Sequence, residues 1–345
     1  MKNNHTFIIA EMAWAHDGSL DLARQIIKGA SDARADAISV HITNMPAYMV
    51  RNYKSLAGQT LSEGREDVDI YGYQDKINIK DKDWGPLFRY ARNLGLKVCA
   101  MTNDLASVAL CQKLKPEMYA IHASCFLEED LIREVGKQKK PVVLRIGGAT
   151  LGEIEWVIRL LKEEGSGEII LLHGIQLYPT TIEDHHLNLI PSLKTIFGVT
   201  VGVADHVDAN SPFNLIMPLL AIPLGATVIE KHITHNRALK GEDSESALNP
   251  DEFKTFVLNV RNTEKALGED RFRELSKAEI TYRGVSRKKT VATKNIKKGE
   301  IIKKSSFTAK RSDEGMPPNE THLIIGRKTK RDIKKDEGIT WEKIR

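Results

Sequence analysis

The 345-residue sequence lacks long apolar runs, and this absence excludes membrane-spanning helices. No stretch approaches the roughly 18 consecutive apolar residues that a helix needs to cross a bilayer. The first residues, MKNNHTFIIAEM, also lack the long apolar region and the small-residue cleavage site of a secretory signal. We therefore expect a cytoplasmic protein that has no membrane partner.

Cysteine is also scarce, and the net charge is small. Cys99, Cys111 and Cys125 are odd in number and follow no zinc-type spacing, so the sequence predicts reduced, buried thiols rather than a disulfide framework or a structural zinc site. A net charge of +5 is too small to indicate a nucleic-acid binder.

The positive charge is concentrated in the last part of the chain. From Gly284 onward there are 18 Lys and Arg residues against 8 Asp and Glu, which leaves 33 against 38 for residues 1–283. A solvated basic surface explains this asymmetry, and so does docking of the basic segment on an acidic surface, including the body of a sister chain. Nucleic acid is the weaker explanation.

Eight short apolar, β-branched runs alternate with helical patterns through the first 270 residues or so. This alternation predicts a closed (β/α)8 barrel, with an open doubly wound sheet as the weaker option. No Gly-x-Gly-x-x-Gly motif follows any of the runs, which counts against a dinucleotide-binding fold. The eight runs read FIIAEMA, AISVHIT, KVCAMT, MYAIHAS, PVVLRIG, IILLHGI, VTVGVAD and TVIEKHI.

Two other stretches depart from this alternation. The long connection from Asn44 to Ile79 is predicted to be a lid or extra structure over the barrel mouth, where the strands have their carboxyl ends. Near Arg283 the pattern changes to short strands and turns, in which NIKKGEII and DIKKDEGI resemble each other. We therefore predict two domains, a barrel of residues 1–283 and a small β-rich module of residues 284–345.

Polar residues cluster where the predicted strands end. In a parallel barrel these ends converge on one site. His206 and His232 end adjacent strands, a placement that lets two neutral imidazoles bind one divalent metal ion while leaving coordination positions open. Two hydrogen-bonded histidines without a metal explain the same placement, and both interpretations stay open. Glu11 is interpreted as a group that orients a sugar hydroxyl or moves a proton, or else as half of a buried ion pair with Lys231.

Several motifs together resemble the sialic acid (nonulosonate) synthase family, whose members carry a C-terminal SAF domain similar to type III antifreeze proteins. The resemblance runs essentially from end to end of the chain. It is carried by FIIAEMAWAHDGSLDLARQIIKGASDARADAI, VGVADH, LGATVIEKHIT followed by GEDSESALNPDEF, and VATKNIKKGEII with KRSDEGMPP.

The resemblance implies an enzyme that condenses phosphoenolpyruvate with an amino-sugar aldehyde to give a nine-carbon 2-keto acid and phosphate. It implies a divalent ion on His206 and His232, Mn2+ in the first place with Mg2+ or Co2+ as alternatives. It also implies a domain-swapped homodimer, in which Arg311 enters the partner's barrel. The resulting candidates are Glu11, Lys231, His206 and His232 for catalysis, and Tyr178, Asp243, Arg311, Ser124, Arg145, His41 and Gln176 for substrate binding.

The sequence departs from the family where phosphoenolpyruvate is bound. Alignment with the family motifs places Ile121 at a phosphate-binding lysine, Met101 at a pocket threonine and Ala204 at the serine before Asp-His. Phosphoenolpyruvate carries about three negative charges, whose burial without cations is costly. Arg145, His41 and His122 are the candidates to supply positive charge to the phosphate in place of the missing lysine. His122 would, however, face the helices if Ile121 faced the barrel interior.

Three functions follow from this comparison. In the first, the protein is a divergent synthase that still uses phosphoenolpyruvate. In the second, it is a metal-dependent aldolase, isomerase or lyase of the same fold that uses a different donor substrate. A non-enzymatic scaffold is the third, and it is disfavoured because the sugar half of the site is intact. The identity of the sugar and of the metal is left open by the sequence.

Overall fold

A computed structural model describes residues 5–53, 69–269 and 274–345 of the chain. The chain forms two compact units, which divide after Gly268. The division falls ahead of the boundary predicted near Arg283, so that helix Lys277–Ser286 belongs to the C-terminal unit.

Eight parallel strands close into a barrel in sequence order, which confirms the predicted fold class. The first and last strands pair with each other, and Glu11 lies opposite His232 in their register. No described helix is long and apolar enough to cross a membrane. The strands are β1 (Phe7–Glu11), β2 (Ala37–Ile42), β3 (Lys97–Thr102), β4 (Met118–His122), β5 (Val142–Arg145), β6 (Ile169–His173), β7 (Thr200–Asp205) and β8 (Val228–His232).

The first unit also contains ten α-helices among its described residues. Their starts follow ordinary capping chemistry: the Ser19 side chain accepts from the Leu22 amide, and Thr150 forms a capping box with Glu153. The helices are α1 (Leu20–Asp32), α2 (Met45–Tyr48), α3 (Ile70–Ile77), α4 (Asp81–Asn93), α5 (Leu105–Leu114), α6 (Glu129–Gly136), α7 (Leu151–Glu163), α8 (Leu189–Phe197), α9 (Met217–Ala221) and α10 (Pro250–Leu267). Short 3-10 helices span Ala123–Cys125, Glu183–His185, Pro212–Leu215 and Arg237–Leu239.

Each strand buries both of its faces, and alternate residues join different clusters. Ile9, Cys99, Ala120 and Val143 belong to the cluster that fills the barrel interior. Residues one position away, such as Ile8, join the larger cluster between the strands and the helices. This alternation decides which polar residues at the strand ends face the interior. The three cysteines are buried and form no disulfide.

The connection after β2 contains α2 and α3 among its described residues. The side-chain amide of Asn78 donates to the Thr43 carbonyl at 2.7 Å, which holds the two ends of the connection together. The part of the predicted lid that falls on residues 54–68 lies outside the described residues.

The C-terminal unit contains helix α11 (Lys277–Ser286) and the antiparallel strands β9 (Lys288–Ala292) and β10 (Phe307–Arg311). Its two similar segments pair with each other, because Ile296 and Ile333 exchange backbone hydrogen bonds of 2.8 and 2.9 Å. The two isoleucines also share one buried core. The sequence echo therefore corresponds to a structural pairing. Short 3-10 helices in this unit span Lys304–Ser306, Pro318–Leu323 and Trp341–Lys343.

Candidate active site

Alternation along β8 separates three consecutive polar residues. Val228 belongs to the interior cluster and Ile229 to the cluster beneath the helices. Glu230 and His232 therefore face the interior, and Lys231 faces the helices. All three side chains are almost fully buried, so the direction in which each one points determines its chemistry.

Arg145 reaches across the interior from β5 to the opposite wall. Its Nη2 atom donates to Glu11, and also to Glu230 at 2.7 Å and to the Ser39 hydroxyl at 3.1 Å. Its Nη1 atom lies 3.3 Å from His41 Nε2 and 3.2 Å from the Met101 sulfur. We call Glu11, Ser39, His41, Met101, Arg145 and Glu230 the inner cluster.

The two carboxylates of the inner cluster have opposite protonation behaviour. Burial by itself would raise the pKa of Glu11, but the Arg145 guanidinium lowers it below its ordinary value. Burial raises the pKa of Glu230, because Arg145 offsets this effect only in part and Glu11 adds repulsion. Arg145 thus stabilises the ionised form of Glu11, whereas Glu230 keeps its proton to a higher pH than an ordinary glutamate.

The second group in the interior is built around two histidines. The ring centroids of His206 and His232 are 5.2 Å apart, and the Tyr178 ring lies edge-on to them at 4.9 and 5.4 Å. An Asp243 carboxylate oxygen lies 3.7 Å from His232 Nδ1. Backbone contacts hold this group in place, since the Thr180 amide and the Ser246 hydroxyl both donate to the His206 carbonyl. We call His206 and His232 the imidazole pair.

The imidazole pair is neutral and has ligand capacity to spare. Burial lowers the pKa of His206 to about 3, and burial followed by the neighbouring His206 lowers that of His232 well below its ordinary value. His206 Nδ1 is buried without a hydrogen-bond partner. A neutral imidazole nitrogen with an unused lone pair fits a divalent metal ion. The described residues contain no group of three or more His, Cys, Asp or Glu side chains that could hold a metal ion together.

The structure corrects the placement of Lys231. This residue was a catalytic candidate and the suggested partner of Glu11, but its ammonium donates to Asp205 on the helix side of the strands. Both side chains are 0% exposed. The partner of Glu11 is Arg145 instead. Lys231 is therefore part of a structural ion pair, which we call the outer pair, and it is out of reach of the interior.

The structure also reverses the orientation considered for β4. Ile121 belongs to the cluster beneath the helices, whereas Ala120 belongs to the interior cluster. His122 therefore faces the interior, and burial followed by the nearby Arg145 lowers its pKa to about 4. The apolar side chain of Ile121 removes no cation from the interior. Met101 and Ala204 do face inward, so the wall is apolar at these two positions.

Ser124, Gln176 and Arg311 complete the set of predicted residues. Ser124 is bonded to His122, with 3.0 Å between its hydroxyl and His122 Nδ1. The Gln176 side chain packs against Gly147, where a Cβ would come within 2.5 Å of its Oε1, and both of its polar atoms are buried without a partner. Arg311 ends β10 in the C-terminal unit and is exposed.

Glu230 is the residue that sequence reasoning missed. It lies within the motif LGATVIEKHIT, of which only Lys231 and His232 were taken as site residues. Its spacing of two residues from His232 was the available signal, because residues i and i+2 of a strand share a face.

Comparison with protein-family models relates this arrangement to known proteins. The NeuB family model matches residues 26–272, and the SAF domain model matches residues 290–345. The first match covers the barrel from within α1 onward, and the second covers most of the C-terminal unit.

Individual relatives include several sugar-acid synthases. A pseudaminic acid synthase of Campylobacter jejuni is 33% identical over 338 residues, which is 95% of this chain and 93% of that protein. An N,N'-diacetyllegionaminic acid synthase of the same species is 30% identical over 97% of this chain and 98% of that protein. The crystal structure of the N-acetylneuraminic acid (sialic acid) synthetase of Leptospira borgpetersenii has a TM-score of 0.69 at 27% identity, covering 82% of this chain and 95% of that chain.

Proposed function

The chain belongs to the NeuB family, and on this premise we propose that it condenses phosphoenolpyruvate with an amino-sugar aldehyde to form a nonulosonate. In this reaction C3 of phosphoenolpyruvate attacks the aldehyde carbon, and the carbonyl oxygen takes up a proton. Water adds at C2 as phosphate leaves, so the products are a nine-carbon 2-keto acid and inorganic phosphate.

The imidazole pair is the observation that carries this proposal. Two neutral imidazoles 5.2 Å apart on the interior face, one of them with an unused nitrogen, suit a divalent metal ion and have no evident structural purpose. His206 and His232 would hold the ion, which when bound supplies Lewis acidity that polarises the aldehyde carbonyl.

The residues around the pair provide orientation and protons. The Tyr178 hydroxyl stays protonated, because burial raises the pKa of this residue well above its ordinary value, and it can donate a hydrogen bond to a sugar hydroxyl. The Asp243 carboxylate beside His232 can accept from another hydroxyl. Glu11 is ionised, and its side chain is held in place because Oε1 accepts a hydrogen bond from the Ala13 amide at 2.7 Å. It can therefore act as a hydrogen-bond acceptor at the end of β1.

We further propose that the protein acts as a homodimer in the cytoplasm and that Arg311 completes the partner's site. Arg311 is exposed at the end of β10 and forms no ion pair with any described residue. An exposed arginine without a carboxylate partner is suited to bind an oxyanion or a sugar hydroxyl.

A second candidate function follows from the composition of the barrel wall. Met101 and Ala204 face the interior, and Arg145 already contacts two carboxylates. These features favour a donor that carries less charge than phosphoenolpyruvate, and hence a metal-dependent aldolase or lyase of the same fold.

Phosphate release tests the proposed function. The full-length protein is incubated with Mn2+, phosphoenolpyruvate and a panel of 2-acetamido and diacetamido sugar aldehydes, and inorganic phosphate and 2-keto acid are both measured. We expect equal amounts of the two products with at least one aldehyde, and none after chelation of the metal. Formation of 2-keto acid from pyruvate, without phosphoenolpyruvate, would support the second candidate instead.

A further inference from the structure

Arg145 has more hydrogen-bond donors than its partners use. A guanidinium carries five N–H groups. Three acceptors, from Glu11, Ser39 and Glu230, crowd around the two hydrogens of Nη2. The Nε atom is buried without a partner, and Nη1 contacts only the neutral side chains of His41 and Met101.

The carboxylates therefore bind the guanidinium in its weaker mode. Arginine holds an oxyanion most firmly when two parallel N–H groups meet two oxygens. Here Glu230 uses only one oxygen, since its Oε1 atom is buried without a partner. Glu230 is thus held through one oxygen, and the Nε donor that lies beside Nη2 has no partner.

Lys343, a buried cation of the C-terminal unit, differs from Arg145 because each of its donors has an acceptor. The Lys343 side chain is 3% exposed, and its ammonium lies 2.5 Å from a Glu314 oxygen and 2.9 Å from a Glu337 oxygen. It also donates to the Gly338 carbonyl at 2.7 Å. Three donors meet three acceptors, so this cation is structural and has no capacity left for a ligand.

We propose that Arg145 binds the carboxylate of the donor substrate and that Glu230 is its exchangeable counter-ion. The carboxylate of a small 2-oxo or enol acid displaces Glu230 from Nη2 and binds along the edge formed by Nε and Nη2, while Glu11 stays paired. This inference deepens the proposed function and rests on it for the identity of the donor.

The charge of the interior favours a carboxylate over a phosphate at this point. At the carboxyl ends of the described strands, Arg145 is the one Lys or Arg side chain that faces inward, because Lys231 faces the helices and Lys97 lies at the amino end of β3 over the Phe7 ring. A guanidinium that stays shared with Glu11 is better matched to the single charge of an incoming carboxylate, which replaces that of Glu230, than to a phosphate dianion. Two carboxylates already contact this guanidinium, so its surroundings accommodate that group.

Isothermal titration of the full-length protein tests the exchange. Pyruvate, phosphoenolpyruvate and inorganic phosphate are the probes, at one fixed Mn2+ concentration and ionic strength. Weakening the competing contact of residue 230 with Arg145 in Glu230→Gln should tighten binding of pyruvate and phosphoenolpyruvate about tenfold, whereas Arg145→Gln should weaken both about 100-fold. Arg145→Lys should lose part of the affinity, because a lysine lacks the planar fork. Phosphate affinity should be unchanged in all three variants.

Lys343→Met is the matched control, because it removes a buried cation with two carboxylate partners from outside the site. It should lower thermal stability and leave pyruvate affinity unchanged. Thermal unfolding reports whether Arg145→Gln folds. If it does not, Glu230→Gln still decides the question, since a gain in affinity cannot arise from unfolding.

Several results would overturn the inference. Binding of pyruvate that is undetectable in every form, or no tighter in Glu230→Gln, would do so, and so would phosphate binding that depends on Arg145 when pyruvate binding does not. Turnover of phosphoenolpyruvate with an unchanged KM in Arg145→Lys would overturn it while the proposed function stands. Pyruvate binding that follows Arg145, without turnover of any aldehyde, would support it while the proposed function fails.

Discussion

The two faces of the barrel wall each bury a cation with carboxylate partners, and they differ in how completely the polar atoms are satisfied. On the helix side, Asp205 accepts from Lys231 and from the Val207 amide at 3.0 Å, and His185 Nε2 lies 3.6 Å away. On the interior side, Arg145 Nε and Glu230 Oε1 are buried without partners.

This difference separates stability from function. A buried charge network with every atom satisfied contributes to a unique fold, and it gains nothing from a ligand. Unpaired buried donors and acceptors lower the stability of the free protein, because they have lost their hydrogen bonds to water. A ligand that forms hydrogen bonds with them therefore gains binding free energy. We therefore expect substitutions on the interior face to change binding and rate, and those on the helix face to change the free energy of unfolding.

The largest expected effect is on catalysis and comes from the imidazole pair. His206→Ala should lower kcat/KM on the order of 10³-fold, because half of the metal-binding capacity is lost and no other group polarises the carbonyl. The free energy of unfolding should change little, since His206 Nδ1 has no partner to lose. Steady-state kinetics and urea unfolding of the same preparation measure the two quantities.

His185→Gln is the matched control for that change. His185 is buried on the helix side, where its Nδ1 lies 2.8 Å from the Thr181 carbonyl. The control should lower stability and leave kcat near its wild-type value. The opposite pattern, with His206 needed for folding and His185 needed for turnover, would contradict the comparison of the two faces.

The outer pair should show the next largest effect, on stability alone. Lys231→Met leaves Asp205 as an unpaired, fully buried carboxylate, so we expect a loss of about 3–5 kcal/mol in the free energy of unfolding. The double variant Lys231→Met with Asp205→Asn should recover part of this loss. Urea unfolding checks both values, and a Lys231→Met protein of wild-type stability would show that the pair is not structural.

Acid should weaken the interior face. Burial lowers the pKa of His41 and His206 to about 3 and that of His122 to about 4, against 6.5 in the unfolded chain. Below about pH 6.5 the unfolded chain binds protons that the folded chain does not, so stability falls with pH. Glu230 opposes this by one proton, because its raised pKa lets the folded chain hold a proton that the unfolded chain has released.

The pKa values of His16, His173 and His232 are lowered by burial as well, so unfolding takes up several protons, and each net proton lowers the free energy of unfolding by about 1.4 kcal/mol per pH unit between pH 6 and pH 5. Urea unfolding at several pH values in the presence of a chelator measures this slope. Replacing His41 and His122 by Gln should flatten it, and an unchanged slope in that variant would place the acid-sensitive groups elsewhere.

The architecture was predictable because a parallel barrel repeats one signal eight times. Each strand appears as an apolar run of β-branched residues, and polar residues at its carboxyl end mark the mouth. The internal repeat of the C-terminal unit was also predictable from the sequence. Ile296 and Ile333 occupy equivalent positions in its two similar segments, and they pair in the structure.

The site was predictable only as a set of residues, because pairing depends on which face each side chain occupies. One of the two interpretations of Glu11 paired it with Lys231, whereas the structure pairs it with Arg145, 134 residues away on the opposite wall. Composition cannot reveal a contact that spans the barrel. The two-residue period would have separated Lys231 from Glu230 and His232, but the orientation of Ile121 on β4 required the packing of its neighbours.

Arg311 should have the smallest single effect, and it tests whether the interior is completed from a second copy of the chain. Arg311→Ala should raise the KM for the sugar about tenfold with the fold intact, because one charged hydrogen bond to the substrate is lost. Lys310→Ala, which removes a neighbouring charge paired with Asp336, should leave the KM for the sugar unchanged.

Mixing Arg311→Ala with His206→Ala under subunit exchange then shows whether Arg311 acts in its own barrel or in that of the partner. If Arg311 acts in the partner's barrel, each mixed dimer has one intact site, and about a quarter of wild-type activity should return. If Arg311 acts within its own chain, no mixed dimer has an intact site and the activity stays at the level of the parents.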